Sequence, residues 1–93
     1  MEFEWDAEKA QANLRKHRVP YFKATLVFED PARQVRPDDS DDFEEERWIV
    51  LGYVEPYVLF VVFTHRQKRI RLISARKATR NEQQHYGAGY ISS

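Results

Sequence analysis

The amino-acid sequence predicts an α+β fold: an antiparallel sheet with two N-terminal helices and one C-terminal helix packed on it. Two observations carry this prediction. Apolar residues recur at helical spacing after Asp6 and again after Pro20, whereas three segments between residues 47 and 74 are rich in β-branched and aromatic residues. The 93 residues, 42% hydrophobic and 32% charged, are expected to form one domain over residues 1–93.

The N-terminal half is expected to form a short strand followed by two helices. Residues 2–5 alternate acidic and aromatic side chains, as a strand with one buried face does. Asp6 is a suitable N-cap for a first helix that ends near His17. Pro20 is tolerated in a first helical turn, so a second, short amphipathic helix should begin there and end at about Glu29.

The middle of the chain is expected to contain a brief strand near residues 34–36 and then a solvated acidic loop from 37 to 46. Three strands should follow closely, at residues 47–54, 57–64 and 68–74. Because the second of these strands is apolar almost throughout, both of its faces should be covered, which predicts that it lies at the centre of the sheet.

The last helix has a recognisable beginning and end. Thr79-Arg80-Asn81-Glu82 is a capping box, which predicts that the helix begins there. Gly87 is a natural residue for a helix C-terminus, so the helix is expected to end at about Tyr86. The predicted order is therefore strand, two helices, a brief strand, three strands and a helix.

The two halves of the chain differ strongly in charge although the formal net charge is zero. Residues 1–46 hold 13 acidic and 7 basic side chains, and residues 47–93 hold 2 acidic and 8 basic ones. No acid occurs between His65 and Arg80. Such a polarised chain can present a positive face to phosphate. Lys and Arg also protect sheet edges from aggregation, and composition leaves both interpretations open.

Several functional classes have little support. The chain has no Cys for disulfides or thiolate ligands, its histidines (His17, His65 and His85) are widely spaced, and three glycines are too few for a phosphate-binding loop. We therefore expect neither a metal nor another cofactor. The acidic N-terminus is unlike a signal peptide, and the longest apolar run is too short to span a bilayer, so we expect a cytoplasmic protein without a membrane partner.

The basic segment at the end of the predicted sheet is a candidate phosphate site. Period-two alternation predicts that Arg69 and Arg71 share one face, opposite Ser74 and the apolar positions. Arg76 is expected just past the strand end, and Arg80 opens the final helix. Guanidinium groups and helix amides would then meet in one place, as phosphate binding requires.

Metal-free RNA cleavage needs a base, an acid and cations on the pentavalent phosphate. Arg76 is the candidate cation, although its guanidinium could instead bond neighbouring carbonyls and tie the strand end to the last helix. His17 suits acid–base chemistry, but a histidine at a helix end also caps carbonyls. Glu46-Arg47 could be a site pair or an exposed ion pair. Each of these residues therefore has a structural alternative.

Two sets of motifs follow one another along residues 3–86. The first set is Phe3-Glu4-Trp5-Asp6, Lys9, Asn13-Leu14-Arg15-Lys16-His17, Val19, Phe22, Ala24 and Val27-Phe28-Glu29-Asp30-Pro31. The second set is Glu46-Arg47, Leu51-Gly52, Arg71-Leu72-Ile73-Ser74-Ala75-Arg76-Lys77-Ala78-Thr79, Glu82 and Tyr86. Together they resemble the BrnT family of type II toxins, and this resemblance covers nearly the whole chain.

The resemblance implies a RelE-like fold and a ribonuclease toxin that stops translation. It also implies a BrnA-like antitoxin with a ribbon-helix-helix domain, through which alone the complex binds operator DNA. With RNA as the substrate, the catalytic candidates are Arg76, Arg71, His17, Arg47 and Glu46. The RNA-binding candidates are Lys16, Arg69, Lys77 and Arg80. The alternative function is a non-catalytic nucleic-acid or partner-binding module that acts as a co-repressor.

The antitoxin is expected to contact the face carrying Arg71 and Arg76, or to lock the helices beside it. Two positions depart from the family pattern, and at both the family usually has glycine. Arg18 follows the histidine of the first helix, and the hairpin before the last strand reads His65-Arg66-Gln67-Lys68. The exit of the first helix must therefore avoid left-handed backbone or strain Arg18.

Overall fold

The computed structural model describes residues 1–39 and 45–92, with side chains as far as residue 87. The elements in chain order are β1 (Glu2–Glu4), α1 (Ala7–His17), α2 (Tyr21–Ala24), a 3₁₀ helix (Thr25–Glu29), β2 (Gln34–Pro37), β3 (Trp48–Val54), β4 (Tyr57–Arg66), β5 (Arg69–Lys77) and α3 (Arg80–Ser92). The predicted order of elements is confirmed, except that the predicted second helix consists of the short helix α2 and the 3₁₀ helix. The central part of the predicted acidic loop, residues 40–44, lies outside the described residues.

The five strands form one sheet in the order β1-β5-β4-β3-β2. The prediction that the apolar strand β4 is central is confirmed. Neighbouring strands are antiparallel except β1 and β5, which run parallel. The strand nearest the N-terminus therefore lies beside the last strand, and it brings acidic residues next to the basic segment.

The hydrophobic core lies on one face of the sheet, called here the core face, which carries Val50, Val61 and Leu72. Helices α1 and α2 and the 3₁₀ helix cover it, and Val27 of the 3₁₀ helix is completely buried. A side chain at Gly52 would place its Cβ only 2.7 Å from the Cβ of Val27, so glycine allows this close approach. The other face, which carries Phe60, Val62 and Thr64, is called the outer face.

A β-bulge in β5 determines which of its residues share a face. Two consecutive residues of β4 pair with Leu72 and Ser74, which leaves Ile73 as an extra residue. Beyond the bulge Ala75 is fully buried in the core, and Ser74 and Arg76 lie on the outer face. The prediction that Ser74 shares the face of Leu72 is therefore wrong, because regular alternation does not continue through the bulge.

Two predicted boundaries are also wrong. Strand β5 continues to Lys77 because the long strand β4 offers partners that far, so Arg76 lies inside the strand and not beyond it. Helix α3 continues through Gly87 to Ser92. Glycine within a helix costs only about 1 kcal/mol relative to alanine, which does not by itself end a helix.

Strand β1 is short, so it leaves part of the β5 edge without a neighbouring strand. Side chains from the core-face helices form hydrogen bonds with the backbone of this part of β5. The Asn13 side chain donates to the carbonyl of Ala75 at 2.8 Å and accepts from its N–H at 3.2 Å. The hydroxyl of Tyr21 donates to the carbonyl of Ile73, the bulge residue, at 2.8 Å. These bonds take the place of a neighbouring strand, which a buried strand edge requires.

Both positions that depart from the family pattern have left-handed backbone, at the exit of α1 and in the β4–β5 turn. Asp6 caps α1 as predicted, with its carboxylate accepting from the N–H of Lys9 at 3.0 Å. The helix then ends at Arg18 in the left-handed conformation, with φ of 61°. Gln67 in the β4–β5 turn has φ of 58°. Both residues thus occupy backbone conformations that glycine adopts more easily.

Replacing Asn13 with alanine should lower the free energy of unfolding by about 2–4 kcal/mol. The substitution leaves the N–H and carbonyl of Ala75 without partners in a buried place, and each unsatisfied group costs about 1–3 kcal/mol. Urea denaturation measures the change, and Asn81→Ala at an exposed position of α3 is the matched control. Equal effects of the two substitutions would contradict the proposed edge role.

Candidate functional site

The bulge places two of the candidate arginines on the same face of the sheet. Arg71 and Arg76 are five residues apart, and in a regular strand such residues point to opposite faces. Here Arg71 pairs with Thr64 and Arg76 pairs with Phe60, and these two residues lie four apart in β4. Both guanidinium groups therefore belong to the outer face.

A cluster of polar side chains forms where β1 meets β5, and we call Glu4, Thr64, Arg69 and Arg71 the Arg71 cluster. Glu4 lies beside Arg71 in the parallel pair, and its carboxylate accepts a hydrogen bond of 2.7 Å from the guanidinium. The two side chains are about a quarter exposed, at 24% and 25%. Arg69 is more exposed and lies 3.9 Å from Glu4, so the carboxylate faces two cations.

The segment Glu46-Arg47 lies next to the Arg71 cluster. The hydroxyl of Thr64 donates to the backbone carbonyl of Glu46 at 2.6 Å, which holds this segment against β4. Arg47 is partly buried and Glu46 is exposed. The structure thus brings three of the five catalytic candidates, Arg71, Arg47 and Glu46, to one end of the sheet.

Arg76, by contrast, is tied to the last helix. Its guanidinium makes two hydrogen bonds to the carboxylate of Glu82, at 2.8 and 2.9 Å, and lies 3.9 Å from the centre of the Phe60 ring. Glu82 also accepts from the N–H of Thr79, as the predicted capping box requires. This arrangement matches the structural alternative for Arg76, in which its guanidinium fastens the strand to α3.

Helix α3 crosses the outer face from β5 towards β2. Its first turn is held by the Arg76–Glu82 pair. Tyr86 lies four residues after Glu82, and its carbonyl accepts a hydrogen bond of 2.8 Å from the side chain of Gln34 in β2. Residues that pair across neighbouring strands form a row across the sheet. Gln34 of β2 and Arg76 of β5 lie at the two ends of one such row, and Phe60 lies within it. The helix therefore covers this row and leaves the Arg71 cluster outside it.

A second contact fixes the far part of α3 to the core-face helices. The hydroxyl of Tyr86 donates to the carboxylate of Asp30 at 2.5 Å, and the same carboxylate accepts from the N–H groups of Tyr53 and Ala32. Burial raises the pKa of Asp30, but these hydrogen bonds outweigh it, so the pKa lies below its ordinary value. Asp30 therefore stays ionised and holds the helix near the β2 edge.

Glu82 has the strongest shift among the carboxylates that the structure describes. Hydrogen bonding to the Arg76 guanidinium lowers the pKa of Glu82 from 4.5 to about 2, against an opposing effect of burial. Because the folded pKa is lower than the unfolded one, the pair stabilises the fold fully above about pH 4.5. The contribution is lost as the pH falls towards 2.

The remaining candidates lie apart from the Arg71 cluster. Lys16 and His17 occupy the last turn of α1, which packs on the core face. The ammonium group of Lys77 lies 4.0 Å from the centre of the Tyr57 ring. Arg80 is exposed at the beginning of α3. The structure therefore does not gather all nine candidates into one site.

Sequence reasoning missed Glu4, Thr64 and Glu82 as parts of the site. The acid–aromatic alternation of β1 showed that Glu4 would face away from the core, but not that β1 would lie beside β5. Glu82 was recognised as a capping residue, and its second role with Arg76 depends on the strand reaching that far. No feature of the sequence singled out Thr64.

Within the part of the chain that the structure describes, no three His, Asp or Glu side chains are grouped closely enough to hold a metal ion. Every helix of residues 1–39 and 45–92 is also too short or too polar to span a lipid bilayer.

A sheet face on which arginines are held beside glutamates and a hydroxyl is suited to binding and cleaving a phosphodiester. The sequence model of the protein family described as the ribonuclease toxin BrnT of type II toxin–antitoxin systems matches residues 5–82. The chain therefore belongs to this family, as its motifs indicated, and a type II toxin has an antitoxin protein as its partner. No curated protein sequence matches the chain.

The substitution Glu82→Gln should lower the free energy of unfolding at pH 7 by about 1–2 kcal/mol, because it removes the charge from a partly exposed, bidentate pair. The difference from wild type should shrink between pH 4.5 and 2, as the wild-type carboxylate becomes protonated. Urea denaturation at several pH values measures this, with Glu29→Gln at an exposed carboxylate as the control. A difference that stays constant down to pH 2 would show that the Glu82 charge is unimportant.

Proposed function

We propose that this toxin is a single-domain endoribonuclease that acts in the cytoplasm and cleaves RNA at the Arg71 cluster. The observation that carries the proposal is the 2.7 Å contact between the Glu4 carboxylate and the Arg71 guanidinium, beside the hydroxyl of Thr64. A carboxylate next to a fixed cation supplies both the base and the electrostatic stabilisation that RNA cleavage needs.

In the proposed reaction Glu4 accepts the proton of the RNA 2′-hydroxyl, and the 2′-oxygen attacks the neighbouring phosphorus. The bond from phosphorus to the 5′-oxygen breaks, which leaves a 2′,3′-cyclic phosphate and a free 5′-hydroxyl. Arg71 and Arg69 stabilise the extra negative charge on the phosphate oxygens. Arg47 donates a hydrogen bond to the leaving 5′-oxygen, which takes its proton from solvent. No step of this scheme requires a metal ion.

The other candidates have different roles in this proposal. Arg76 holds α3 in place, and Arg80 is available to bind a further phosphate of the same strand. Glu46 contributes through its backbone carbonyl, which positions Thr64. Lys16, His17 and Lys77 are assigned no role at the scissile phosphate, because they belong to α1 or to the core-face side of β5.

The wider biological role is proposed from the resemblance to the BrnT family. We propose that the protein has a RelE-like fold and inhibits translation by cleaving RNA. Its proposed partner is a BrnA-like, ribbon-helix-helix antitoxin, through which the complex binds operator DNA. The alternative is a co-repressor that no longer cleaves RNA. Expression without the antitoxin distinguishes the two, because only an active toxin arrests growth with loss of intact RNA.

Replacing Glu4 with glutamine should reduce RNA cleavage by about 100- to 10,000-fold, because the amide cannot accept the 2′-hydroxyl proton. Arg71→Ala should reduce it by about 100- to 1,000-fold, since one fixed cation is lost. Cleavage of a short RNA by the purified variants measures both effects. Arg33→Ala, at an exposed arginine preceding the opposite edge strand, should keep wild-type activity. Full activity of Glu4→Gln would exclude Glu4 as the base.

RNA binding should weaken steeply with salt, because the cations of the outer face release counterions from the RNA backbone. For single strands the logarithm of the binding constant falls by about 0.7 per phosphate contact for each tenfold rise in salt. Titration of a fluorescent RNA with the inactive Glu4→Gln protein at several salt concentrations gives this slope. Arg69→Ala should reduce the slope by roughly one contact. Binding that does not respond to salt would contradict a phosphate-binding face.

A further inference from the structure

The core-face side of the molecule carries an apolar groove between α1 and α2. Its lining includes Trp5, Leu14 and Phe22, which are 37%, 41% and 66% exposed. The groove has a volume of about 320 Å³. Scattered exposed apolar side chains are normal in soluble proteins, but contiguous ones that line a groove indicate a binding surface.

The groove borders two hollows that are lined by charged residues. At one end it shares Pro20 with a cavity of about 130 Å³, which is lined by Arg18, Lys23 and Lys77 and by one acid, Glu55. Along α1 it shares Ala7 and Gln11 with an open hollow of about 510 Å³, which adds Arg15 and Glu8. The whole channel is therefore apolar in the middle, with four cations and two acids along its length.

The position of Arg18 adds to the charge at the cavity. Arg18 is the left-handed residue that ends α1, and the turn it makes lies on the cavity wall together with Pro20. Lys77 reaches the same wall from the end of β5 and lies against the Tyr57 ring. Cations from three separate parts of the chain thus surround one small cavity, which favours an anionic group within it.

We infer that this channel, here called the α1–α2 channel, is the docking surface for an acidic, amphipathic segment of the antitoxin. Apolar side chains of the segment would fill the groove of Leu14 and Phe22, and a carboxylate would enter the cavity of Arg18 and Lys23. Helix α1 is 11 residues long, or about 16 Å, which matches about three turns of a partner helix. The inference rests on the proposed function in that the toxin has an antitoxin partner.

RNA fits this channel less well than a peptide does. The middle of the channel is lined by aliphatic and aromatic residues without cations, whereas nucleic-acid surfaces track the backbone with positive charge throughout. The Arg71 cluster lies on the outer face, on the other side of the sheet. Of the two expected modes of antitoxin contact, the α1–α2 channel favours the one in which the partner locks the helices over the one in which it covers the face of Arg71 and Arg76.

The test compares two substitutions of the same kind at leucines of equal exposure. Leu14 lines the groove and is 41% exposed, whereas Leu26 lies in the 3₁₀ helix outside the channel and is 43% exposed. Leu14→Gln should weaken binding of the purified cognate antitoxin by about tenfold or more, and adding Phe22→Ser should extend the loss to about 30-fold. Leu26→Gln should change the Kd less than about threefold. Calorimetric titration gives the values, and unchanged melting temperatures show that the variants fold.

A charge reversal tests the cavity separately from the groove. Lys23→Glu should weaken antitoxin binding by about tenfold and reduce its dependence on salt, because a carboxylate of the partner would then face a like charge. Lys68→Glu, in the exposed β4–β5 turn, is the matched reversal outside the channel and should leave the Kd within about threefold. Equal effects of the two reversals would mean that only the overall charge matters and would overturn the assignment of the cavity.

Three other outcomes would overturn the inference. Unchanged antitoxin affinity of the Leu14→Gln, Phe22→Ser protein would exclude the groove as the docking surface. A free toxin that is dimeric, and becomes monomeric with these substitutions, would assign the channel to a second copy of the chain. Loss of RNA binding in the same protein would assign it to RNA. Antitoxin affinity is measured without RNA. A toxin that does not cleave RNA would therefore refute the proposed function, whereas the measured antitoxin affinities would still test the docking surface.

Discussion

The bulge at Ile73 is the feature on which the arrangement of the outer face depends. Without the extra residue, Arg71 and Arg76 would lie on opposite faces, and Ala75 would point away from the core. With it, the core face keeps Ala75 and the outer face receives both arginines. The bulge carbonyl is held by the hydroxyl of Tyr21, so packing of α2 on one face fixes the positions of cations on the other.

The charges of β5 are balanced by distant parts of the chain. Glu4 lies 67 residues before Arg71 and reaches it through the parallel pair of β1 and β5. Glu82 pairs with Arg76 from the first turn of α3. The outer face is therefore a set of ion pairs with fixed geometry and not a uniformly positive patch. Hydrogen bonds of this kind hold the guanidinium groups of Arg71 and Arg76 in one orientation.

The local pattern of the sequence was sufficient to predict much of the fold. The apolar run of β4 placed it at the sheet centre, and Asp6 and the Thr79–Glu82 box marked where two helices begin. The bulge was not predictable, since alternation assigns faces only if no residue is inserted. The pairing of β1 with β5 was not predictable either, because contacts between segments so far apart leave no periodic trace. The arrangement of the Arg71 cluster depends on both features, so the sequence indicated that Arg69 and Arg71 share a face but not that Glu4 lies beside them.

Arg18 shows how a charged side chain at a cavity wall can oppose the stability of the fold. A glycine would adopt the left-handed conformation there without strain, whereas arginine raises the energy of the native state by about 1–2 kcal/mol. Strained residues of this kind persist where the surrounding structure holds them in place. An effort to make this toxin more heat-resistant would select glycine at this position first, and the stabilised protein would lack one cation at the wall of the cavity.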